Sequence, residues 1–156
     1  MPRHRAPVNW ADRLRPAQRR IAHFEVGLVR RFGQTGLGLV YRHKTLLLTT
    51  RGRTSGRPRS TPLSYLAQPD GTWLVSGGAG GQSRTPDWVQ NLRAEPRASI
   101  MIDRQPIDVM ARECLGDDRA AAWATLTAKW PELETFQRRA GRTVPVFRFS
   151  RVVSPG

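Results

Sequence analysis

Residues 46–66, LLLTTRGRTSGRPRSTPLSYL, place a loop rich in arginine, glycine and hydroxyl side chains between two strand-like runs. Glycine lets backbone N–H groups approach a ligand closely, and arginine presents a planar fork of donors that matches phosphate or carboxylate. The order differs from the GxxxxGKS/T phosphate loop and from the GxGxxG dinucleotide fingerprint. The pattern predicts an anion-binding loop, with phosphate as the obvious ligand; the alternative is a solvated hairpin loop whose arginines keep the surface soluble. The residues that form this arginine loop are Thr50, Arg51, Gly52, Arg53, Thr54, Ser55, Gly56, Arg57 and Arg59.

A second loop, SGGAGGQS at residues 76–83, contains four glycines. Bare backbone of this kind can accept a flat ring, although the same composition is also typical of a flexible connection. A β-hairpin that turns at Pro69, Asp70 and Gly71 would bring this glycine-rich loop close to the arginine loop, because Asp-Gly between apolar alternations is a strong turn signal. The sequence therefore predicts that the two loops lie side by side.

The formal charge is +14, from 26 Lys and Arg against 12 Asp and Glu. Residues 1–60 hold 14 basic and 2 acidic side chains, so most of the excess charge lies in this part of the chain. Such a balance indicates an anionic partner. A nucleic-acid-binding module is one alternative, and its affinity would fall steeply with salt. The predicted strands lack an exposed aromatic stacking pattern, so we expect no nucleic-acid partner.

The single cysteine, Cys114, excludes an intramolecular disulfide and offers no metal-ligand spacing. We expect a structural thiol in a reducing cytoplasm, and no metal site. No apolar run approaches the ~18 residues of a membrane span, and the start MPRHRAPVNW lacks the apolar core of a secretory signal. The sequence predicts a soluble, cytoplasmic protein with one compact domain.

The N-terminal part is basic and precedes the strand-forming residues. Residues 1–16 mix three prolines with charged side chains, which is typical of a flexible arm. Residues 17–32 place apolar side chains at helical spacing with arginines at both ends, so we expect an amphipathic basic helix there. A glycine-containing connection follows and ends at residue 38. Residues 39–156 then form the predicted folded domain.

This domain is predicted to have about six mostly antiparallel strands and three or four helices. The segments KTLLLTT, STPLSYLAQ, TWLVSGG, ASIMIDRQPIDVMARE and TVPVFRFSRV have strand character, the fourth as two strands with a turn near Arg104. TPDWVQNLRAEP predicts a short helix with Thr85 as N-cap and Pro86 as the first helical residue. GDDRAAAWATLTAKW, ended by Pro131, and ELETFQRRAG predict further helices. An α+β fold with a small β-barrel fits this pattern.

Three blocks carry a resemblance to a known family. LLLTTRGRTSGRPRSTPL, SGGAGGQSRTPDWVQNLRAEP and WPELETFQRRAGRTVPVF, in this order, resemble the deazaflavin-dependent nitroreductase family, which comprises reductases that use coenzyme F-420. The first block follows the pattern TTxGRxSGxxRxxPL, and PxWxxNLxxxP is matched from Pro86 to Pro96. The resemblance extends from about Leu39 to Val146. It implies an α+β split β-barrel and an F-420-dependent oxidoreductase.

The resemblance also implies where the cofactor binds. In members of the family, coenzyme F-420 is an 8-hydroxy-5-deazaflavin whose phospholactyl and oligoglutamate tail lies on the basic loop and whose ring lies in the barrel groove. Here the ring would contact Pro62, Leu63 and the backbone of the glycine-rich loop. Trp88 would buttress the groove, and Asn91 would fix the glycine-rich loop or reach the tail. The implied cofactor-binding residues are Thr50, Arg51, Arg53, Ser55, Gly56, Arg57, Arg59, Pro62, Leu63, Val75, Ser76, Gly77, Gly78, Ala79, Trp88 and Asn91.

Two departures from the family's pattern concern the ligands. Lysines that members often carry in the two loops are replaced by Thr54 and Ala79, although arginines lie nearby. The tyrosines that line the substrate side of nitroreducing members are replaced by Trp130, Leu133 and Phe136. The resemblance therefore implies a more apolar substrate pocket; the alternative is that Leu133 and Phe136 are plain helix-packing residues.

The implied reaction is hydride transfer from the reduced deazaflavin to an electron-poor acceptor. A quinone is the leading acceptor, because the basic residues 1–32 would bring the protein to an anionic membrane that holds lipid-soluble quinones. A nitroaromatic compound and an activated alkene are the alternatives. The proton that follows the hydride would come from water, with Ser64 or Tyr65 as side-chain candidates. His43 and the other two histidines are interpreted as surface or packing residues.

An FMN-binding split-barrel protein is the closest rival hypothesis, because it shares the fold and the phosphate loop. Several arginines in one loop exceed what a single phosphate needs and suit a phosphate followed by glutamates. We therefore prefer F-420 to FMN as the cofactor. The sequence leaves the oligomeric state open between monomer and homodimer.

Overall fold

The computed structural model describes residues 26–27, 43–78 and 81–153. The predicted basic arm, most of the predicted amphipathic helix and Ala79 lie outside these ranges, although Val26 and Gly27 are helical. The division into an arm, a helix with its connection and a domain at residues 39–156 stays a prediction. Within the described ranges, no helix combines the length and apolar character that crossing a membrane requires.

The described chain folds into one curled antiparallel sheet with three helices. The sheet has seven strands in the order β2-β1-β5-β6-β7-β4-β3. The strands are β1 Thr45–Arg51, β2 Pro58–Ser64, β3 Leu66–Ala67, β4 Trp73–Ser76, β5 Arg97–Ile102, β6 Gln105–Glu113 and β7 Val146–Arg151. The helices are α1 Asp87–Ala94, α2 Gly116–Lys129 and α3 Glu132–Ala140.

The predicted strand STPLSYLAQ is two strands in the structure. β2 pairs with β1 in the register Leu47↔Pro62 and Arg51↔Pro58, whereas Leu66 and Ala67 of β3 pair with β4. Consecutive strands thus lie at opposite ends of the strand order, with Tyr65 between them. This step curls the sheet into a half-barrel. The predicted hairpin at residues 69–71 exists, but its strands are shorter than the sequence indicated.

Two local predictions concern turns and helix ends. The β5–β6 turn lies at Asp103 and Arg104, whose φ angles of 48° and 64° suit a tight two-residue hairpin, so the predicted turn is confirmed. The predicted N-cap Thr85 of α1 is wrong. Pro86 takes that position with φ −58° and ψ 147°, and this extended ψ delays the first helical residue to Asp87.

The core divides into two clusters on the two sides of the sheet's inner strands. The larger cluster fills the half-barrel and includes Leu46, Leu48, Trp88, Ile100 and Phe147. The smaller cluster joins α2 and α3 to β4 and β7 and includes Leu74, Trp123, Leu126, Trp130 and Val146. The predicted α+β split β-barrel is confirmed, with seven strands in place of about six.

Candidate cofactor and acceptor site

The arginine loop is the connection between β1 and β2, and its own hydrogen bonds hold it in shape. Gly52 N donates to Arg57 O at 2.8 Å, and Gly56 N donates to Gly52 O at 2.8 Å. The Ser55 hydroxyl oxygen accepts from Arg57 N at 3.2 Å. Gly56 has φ +68°, a left-handed conformation that favours glycine. The loop geometry is therefore set before any ligand binds.

Asn91 connects this loop to helix α1. Its side-chain oxygen accepts from Arg53 N at 3.1 Å and from Arg53 Nη1 at 3.0 Å. Its amide nitrogen donates to Thr50 Oγ1 at 3.2 Å. Asn91 is 3% exposed and Thr50 is 2% exposed, so the bond between them forms away from solvent, whereas the bonds from Arg53 are partly buried. Asn91 thus positions the arginine loop, whereas the resemblance implied contact with the glycine-rich loop or the cofactor tail.

The arginines of the loop divide into two groups. Arg53 Nη2 lies 3.4 Å from Asp87 Oδ1 and completes the attachment of the loop to α1. Arg51, Arg57 and Arg59 are exposed. The Arg51 guanidinium also lies beside Gly56, with Nη2 3.7 Å from the position that a Cβ on this glycine would take. Arg53 is therefore placed to hold the loop, and the other three are placed to attract an anion.

The glycine-rich loop, of which Gly77, Gly78 and residues 81–83 are described, packs against α1 and the start of β7. Gly77 N donates to Pro145 O at 2.8 Å. A Cβ on Gly77 would lie 3.0 Å from Val89 Cγ2, so Gly77 packs closely against α1. Asp87 accepts from Arg53 of one loop and, at 2.9 Å, from Arg84 just beyond the other. The predicted closeness of the two loops is confirmed, and helix α1 is what joins them.

Arg142 supports the glycine-rich loop and was not predicted from the sequence. Its guanidinium donates to Gly77 O at 2.9 Å, to Gln82 O at 3.2 Å and to Arg84 O at 3.3 Å. Burial lowers the pKa of Arg142 from its ordinary value. A lone arginine between α3 and the last strand gives no pattern to recognise, because its partners are backbone carbonyls about 60 residues earlier.

A cleft of about 180 Å³ opens between β2, the end of β4 and α3. It brings together the implied ring contacts Pro62, Leu63 and Gly78 with the implied substrate-side residues. Trp130 and Leu133 also belong to the smaller core cluster, and Phe136 packs against it. Leu133 and Phe136 therefore pack in the core and also line the cleft, so the helix-packing and substrate-pocket interpretations are compatible. The full lining is His43, Pro62, Leu63, Ser64, Ser76, Gly78, Trp130, Glu132, Leu133 and Phe136.

His43 lines the cleft and has polar partners that the sequence did not indicate. Its Nε2 lies 3.6 Å from Glu132 Oε1, and its Nδ1 lies 3.5 Å from Ser64 Oγ. The imidazole also packs against the ring of Trp130, with the ring centroids 4.7 Å apart and the planes tilted by 38°. This contact agrees with the interpretation of His43 as a packing residue, and the carboxylate partner adds to it. His43 precedes β1 and Glu132 begins α3, so only the folded chain shows the pair.

Three implied site residues lie in the larger core cluster instead of the cleft. Trp88 is 5% exposed and meets Phe147 edge-on at 5.7 Å, which suits the predicted buttress. Val75 is fully buried in the same cluster. Burial, reinforced by the charge of Asp103, raises the pKa of the Tyr65 phenol. Of the two proton-donor candidates, Ser64 is therefore the one that the structure places in the cleft.

The residues present fit a ligand with a ring and an anionic extension. Ligand pockets usually measure about 300–1,000 Å³, so this cleft would enclose only part of a large cofactor. A strand rises about 3.3 Å per residue, so Arg59 lies roughly 10 Å along β2 from Pro62 in the cleft. A ring in the cleft would therefore extend its anionic tail along the same strand to the exposed arginines.

Comparison with known proteins agrees with this arrangement. Residues 22–150 match the family model described as F420H(2)-dependent quinone reductase. The F420H(2)-dependent quinone reductase Rv1261c of Mycobacterium tuberculosis is 31% identical over 110 residues, which cover 69% of this chain and 73% of that protein. A solved structure described as an F420-H2 dependent reductase is 29% identical with a TM-score of 0.60, over 68% of this chain and 93% of that one. Another, described as a domain-swapped dimer, is 28% identical with a TM-score of 0.61, over 89% and 98%.

These likenesses confirm the resemblance found in the sequence, together with the predicted enzyme class and coenzyme F-420 as the cofactor. The family model spans well over half of the chain. The chain therefore belongs to the F420H(2)-dependent quinone reductase family, whose members are oxidoreductases.

Proposed function

We propose that this protein transfers a hydride from reduced coenzyme F-420 to a quinone held in the cleft. The observation that supports this most directly is the composition of the cleft walls. Pro62, Leu63 and Gly78 offer a flat surface to a ring on one side, and Trp130 and the apolar side chains of α3 face it from the other. The cleft of about 180 Å³ would enclose part of a stacked pair of cofactor ring and acceptor, and stacking would bring their reacting atoms into close contact.

The cofactor, when bound, supplies the hydride, and the protein supplies position and shelter. Leu133 and Phe136 carry no polar group, and Trp130 has only its indole N–H in place of the phenols of the nitroreducing members. Their surface suits a flat, mostly apolar acceptor, which is why a quinone is favoured over a nitroaromatic compound or an activated alkene. The same apolar wall limits the access of water to the reacting atoms.

The arginine loop would bind the anionic tail. Arg51, Arg57 and Arg59 are exposed and would take the phosphate and the tail carboxylates as charge-assisted hydrogen bonds. Arg53, Ser55 and the amide groups around Gly56 would hold the loop in its anion-binding shape. This division of roles deepens the hypothesis made from the sequence, in which all the arginines were assigned to the ligand.

The cofactor assignment is tested by titrating the protein with F-420 and, separately, with FMN, while the fluorescence of its tryptophans is followed. We expect F-420 to bind more tightly than FMN. Arg59→Gln should weaken F-420 binding about tenfold, since a charge-assisted hydrogen bond contributes about 1.5 kcal/mol, and should affect FMN less.

The matched control is Arg97→Gln, which removes an exposed arginine from β5. It should leave the affinity for F-420 unchanged. Absence of F-420 binding by the wild-type protein would refute the cofactor assignment. Equal effects of Arg59→Gln and Arg97→Gln would refute the tail-binding role of the loop.

The acceptor is tested with menadione as a quinone, a nitroimidazole and cyclohexenone, each supplied to the protein with reduced F-420. We expect kcat/KM to be at least tenfold higher for menadione than for the other two compounds. A higher kcat/KM for the nitroimidazole would contradict the quinone proposal and indicate nitro reduction, despite the apolar residues of α3.

Two further parts of the proposal concern the surroundings of the enzyme. We place it in the cytoplasm, in peripheral contact with an anionic membrane through residues 1–32, on the basis of the charge of that segment. The likeness to a structure described as a domain-swapped dimer favours a homodimer over a monomer. Analytical ultracentrifugation of the full chain distinguishes the two oligomeric states.

A further inference from the structure

Two titratable side chains face each other in the cleft and have no part in binding the cofactor tail. His43 lies just before β1, and Glu132 is the first residue of α3. Their Nε2 and Oε1 atoms are 3.6 Å apart. Among the described residues that line the cleft, these two are the ones with a titratable side chain. The carboxylate therefore lies where it can hold the imidazole in one orientation.

The imidazole of His43 is fixed from three directions. The Trp130 ring lies against its face at 4.7 Å, Glu132 lies at Nε2, and Ser64 Oγ lies 3.5 Å from Nδ1. The His43 side chain is 21% exposed, so it is sheltered by these neighbours but still reachable from the cleft. This arrangement aims the Nδ1 hydrogen of the charged imidazole at the Ser64 hydroxyl.

Ser64 is the member of this group that can meet the acceptor. It lies on β2 two residues after Pro62 and lines the same cleft. A serine hydroxyl alone is a poor acid near neutral pH, but it can pass on a proton if an imidazolium replaces that proton at once. His43 is the group placed to do so. Leu63, Leu133 and Phe136 add apolar surface to the cleft beside this path.

We propose that Glu132, His43 and Ser64 form a proton relay that protonates the oxygen of the acceptor as it receives the hydride. This inference rests on the proposed function. The quinone gains one hydride and one proton and becomes the hydroquinone, while the reduced cofactor that supplies the hydride is oxidised by two electrons. The proton passes from the Ser64 hydroxyl to the acceptor oxygen, and from His43 Nδ1 to Ser64. Solvent then returns a proton to the imidazole, with Glu132 as a positioning residue.

The kinetic test uses the full chain with reduced F-420 and menadione between pH 5 and pH 9. His43→Gln should lower kcat about 100-fold, since general acid catalysis contributes about 10²–10⁴-fold, and Glu132→Gln should lower it about tenfold. The pH profile of the wild-type rate should differ from that of His43→Gln, because only the wild type has an imidazole that takes part in the proton transfer.

Glu134→Gln is the matched control, because it removes one carboxylate from the same helix. Glu134 accepts from Trp123 Nε1 at 2.9 Å, and glutamine can accept that bond as well. Its kcat should stay within twofold of wild type. KM for menadione should change little in any of these variants, because the relay acts on the chemical step.

A second measurement does not depend on activity. The imidazole signals of the cofactor-free protein are recorded by NMR at one fixed pH, and the signal of His43 is identified by its loss in His43→Gln. Glu132→Gln should change the chemical shift of that signal, because it removes the carboxylate that lies 3.6 Å from His43 Nε2. Glu134→Gln should leave the signal in place. Identical His43 signals in wild type and Glu132→Gln would overturn the positioning role of Glu132.

The outcomes separate this inference from the proposed function. Absence of F-420 binding in the wild-type titration would refute the proposed function before any variant is made. Rapid reduction of menadione by both wild type and His43→Gln would overturn the relay and leave the proposed function standing. Should His43→Gln fail to fold, the partly exposed Glu132 and Ser64 still decide the matter, since full activity of both Glu132→Gln and Ser64→Ala would overturn the relay.

Discussion

Replacing Asn91 by alanine should release the arginine loop from helix α1. Asn91 makes three hydrogen bonds, two from Arg53 and one to Thr50, and it is 3% exposed. No other side chain among the described residues bonds to the amide of Arg53. The variant should therefore lose stability and, separately, lose the preformed shape of the anion-binding loop.

The magnitude follows from the individual bonds. The bonds to Arg53 N and Thr50 Oγ1 are neutral and contribute about 1 kcal/mol each. The bond from Arg53 Nη1 is charged, but the Arg53 side chain is 36% exposed, so we reduce its contribution to about 0.5 kcal/mol. The expected loss of unfolding free energy is about 2–3 kcal/mol. Tail binding should weaken about tenfold, because the ligand must then order the loop itself.

Urea denaturation measures the loss of stability, and fluorescence titration with F-420 measures the affinity. Gln90→Ala is the control for changing a side chain of the same helix to alanine, because Gln90 is half-buried and adjacent to Asn91. Its stability should stay within about 0.5 kcal/mol of wild type. If Asn91→Ala proved as stable as Gln90→Ala and bound F-420 equally well, Asn91 would have no role in positioning the loop.

Three further predictions test other parts of the molecule. Gly77→Ala should cost about 1–3 kcal/mol of unfolding free energy in urea, because its Cβ would lie 3.0 Å from Val89 Cγ2, whereas Gly78→Ala should be tolerated, with its nearest contact at 3.9 Å. Burial raises the pKa of the Cys114 thiol, so the native protein should react with Ellman's reagent far more slowly at pH 8 than the urea-unfolded chain; equal rates would show an accessible thiolate. Replacing the four arginines of residues 17–32 by glutamine should abolish sedimentation with anionic vesicles and leave F-420 affinity unchanged, since each contributes about 1 kcal/mol near such a surface; undiminished sedimentation would remove the proposed membrane role.

The successful predictions of the fold came from local sequence patterns. The buried run of β1 reads as a strand because its leucines are consecutive, and the turn at Asp103 and Arg104 follows from polar residues between two alternating segments. The division of STPLSYLAQ was missed because Ser64 and Leu66 are both ordinary strand residues. The two residues differ in the strand that they pair with, because Ser64 pairs with β1 and Leu66 pairs with β4. Pairing between strands that are distant in sequence leaves no local signal.

The same distinction between local and long-range information applies to the site. The arginine loop could be recognised because its glycines, hydroxyls and arginines are contiguous. Its internal division could not be predicted, because Arg53 differs from Arg57 only in lying against Asp87 and Asn91. His43 and Glu132 were missed for a similar reason. A histidine before a strand and a glutamate at the start of a helix are each unremarkable until the fold places them 3.6 Å apart.

Helix α1 explains why the short motif PxWxxNLxxxP accompanies the arginine loop and the glycine-rich loop. Trp88 and Leu92, four residues apart, lie on the face that enters the core, while Asp87 and Asn91, also four residues apart, face the arginine loop. Val89 lies beneath Gly77, and its Cγ2 would be 3.0 Å from a Cβ at that position of the glycine-rich loop, so a side chain there would be tightly packed. The spacing PxWxxNLxxxP thus places on one helix the residues that contact both loops. It follows that substitutions at these positions should change cofactor affinity through loop geometry, with no contact between the altered side chain and the cofactor.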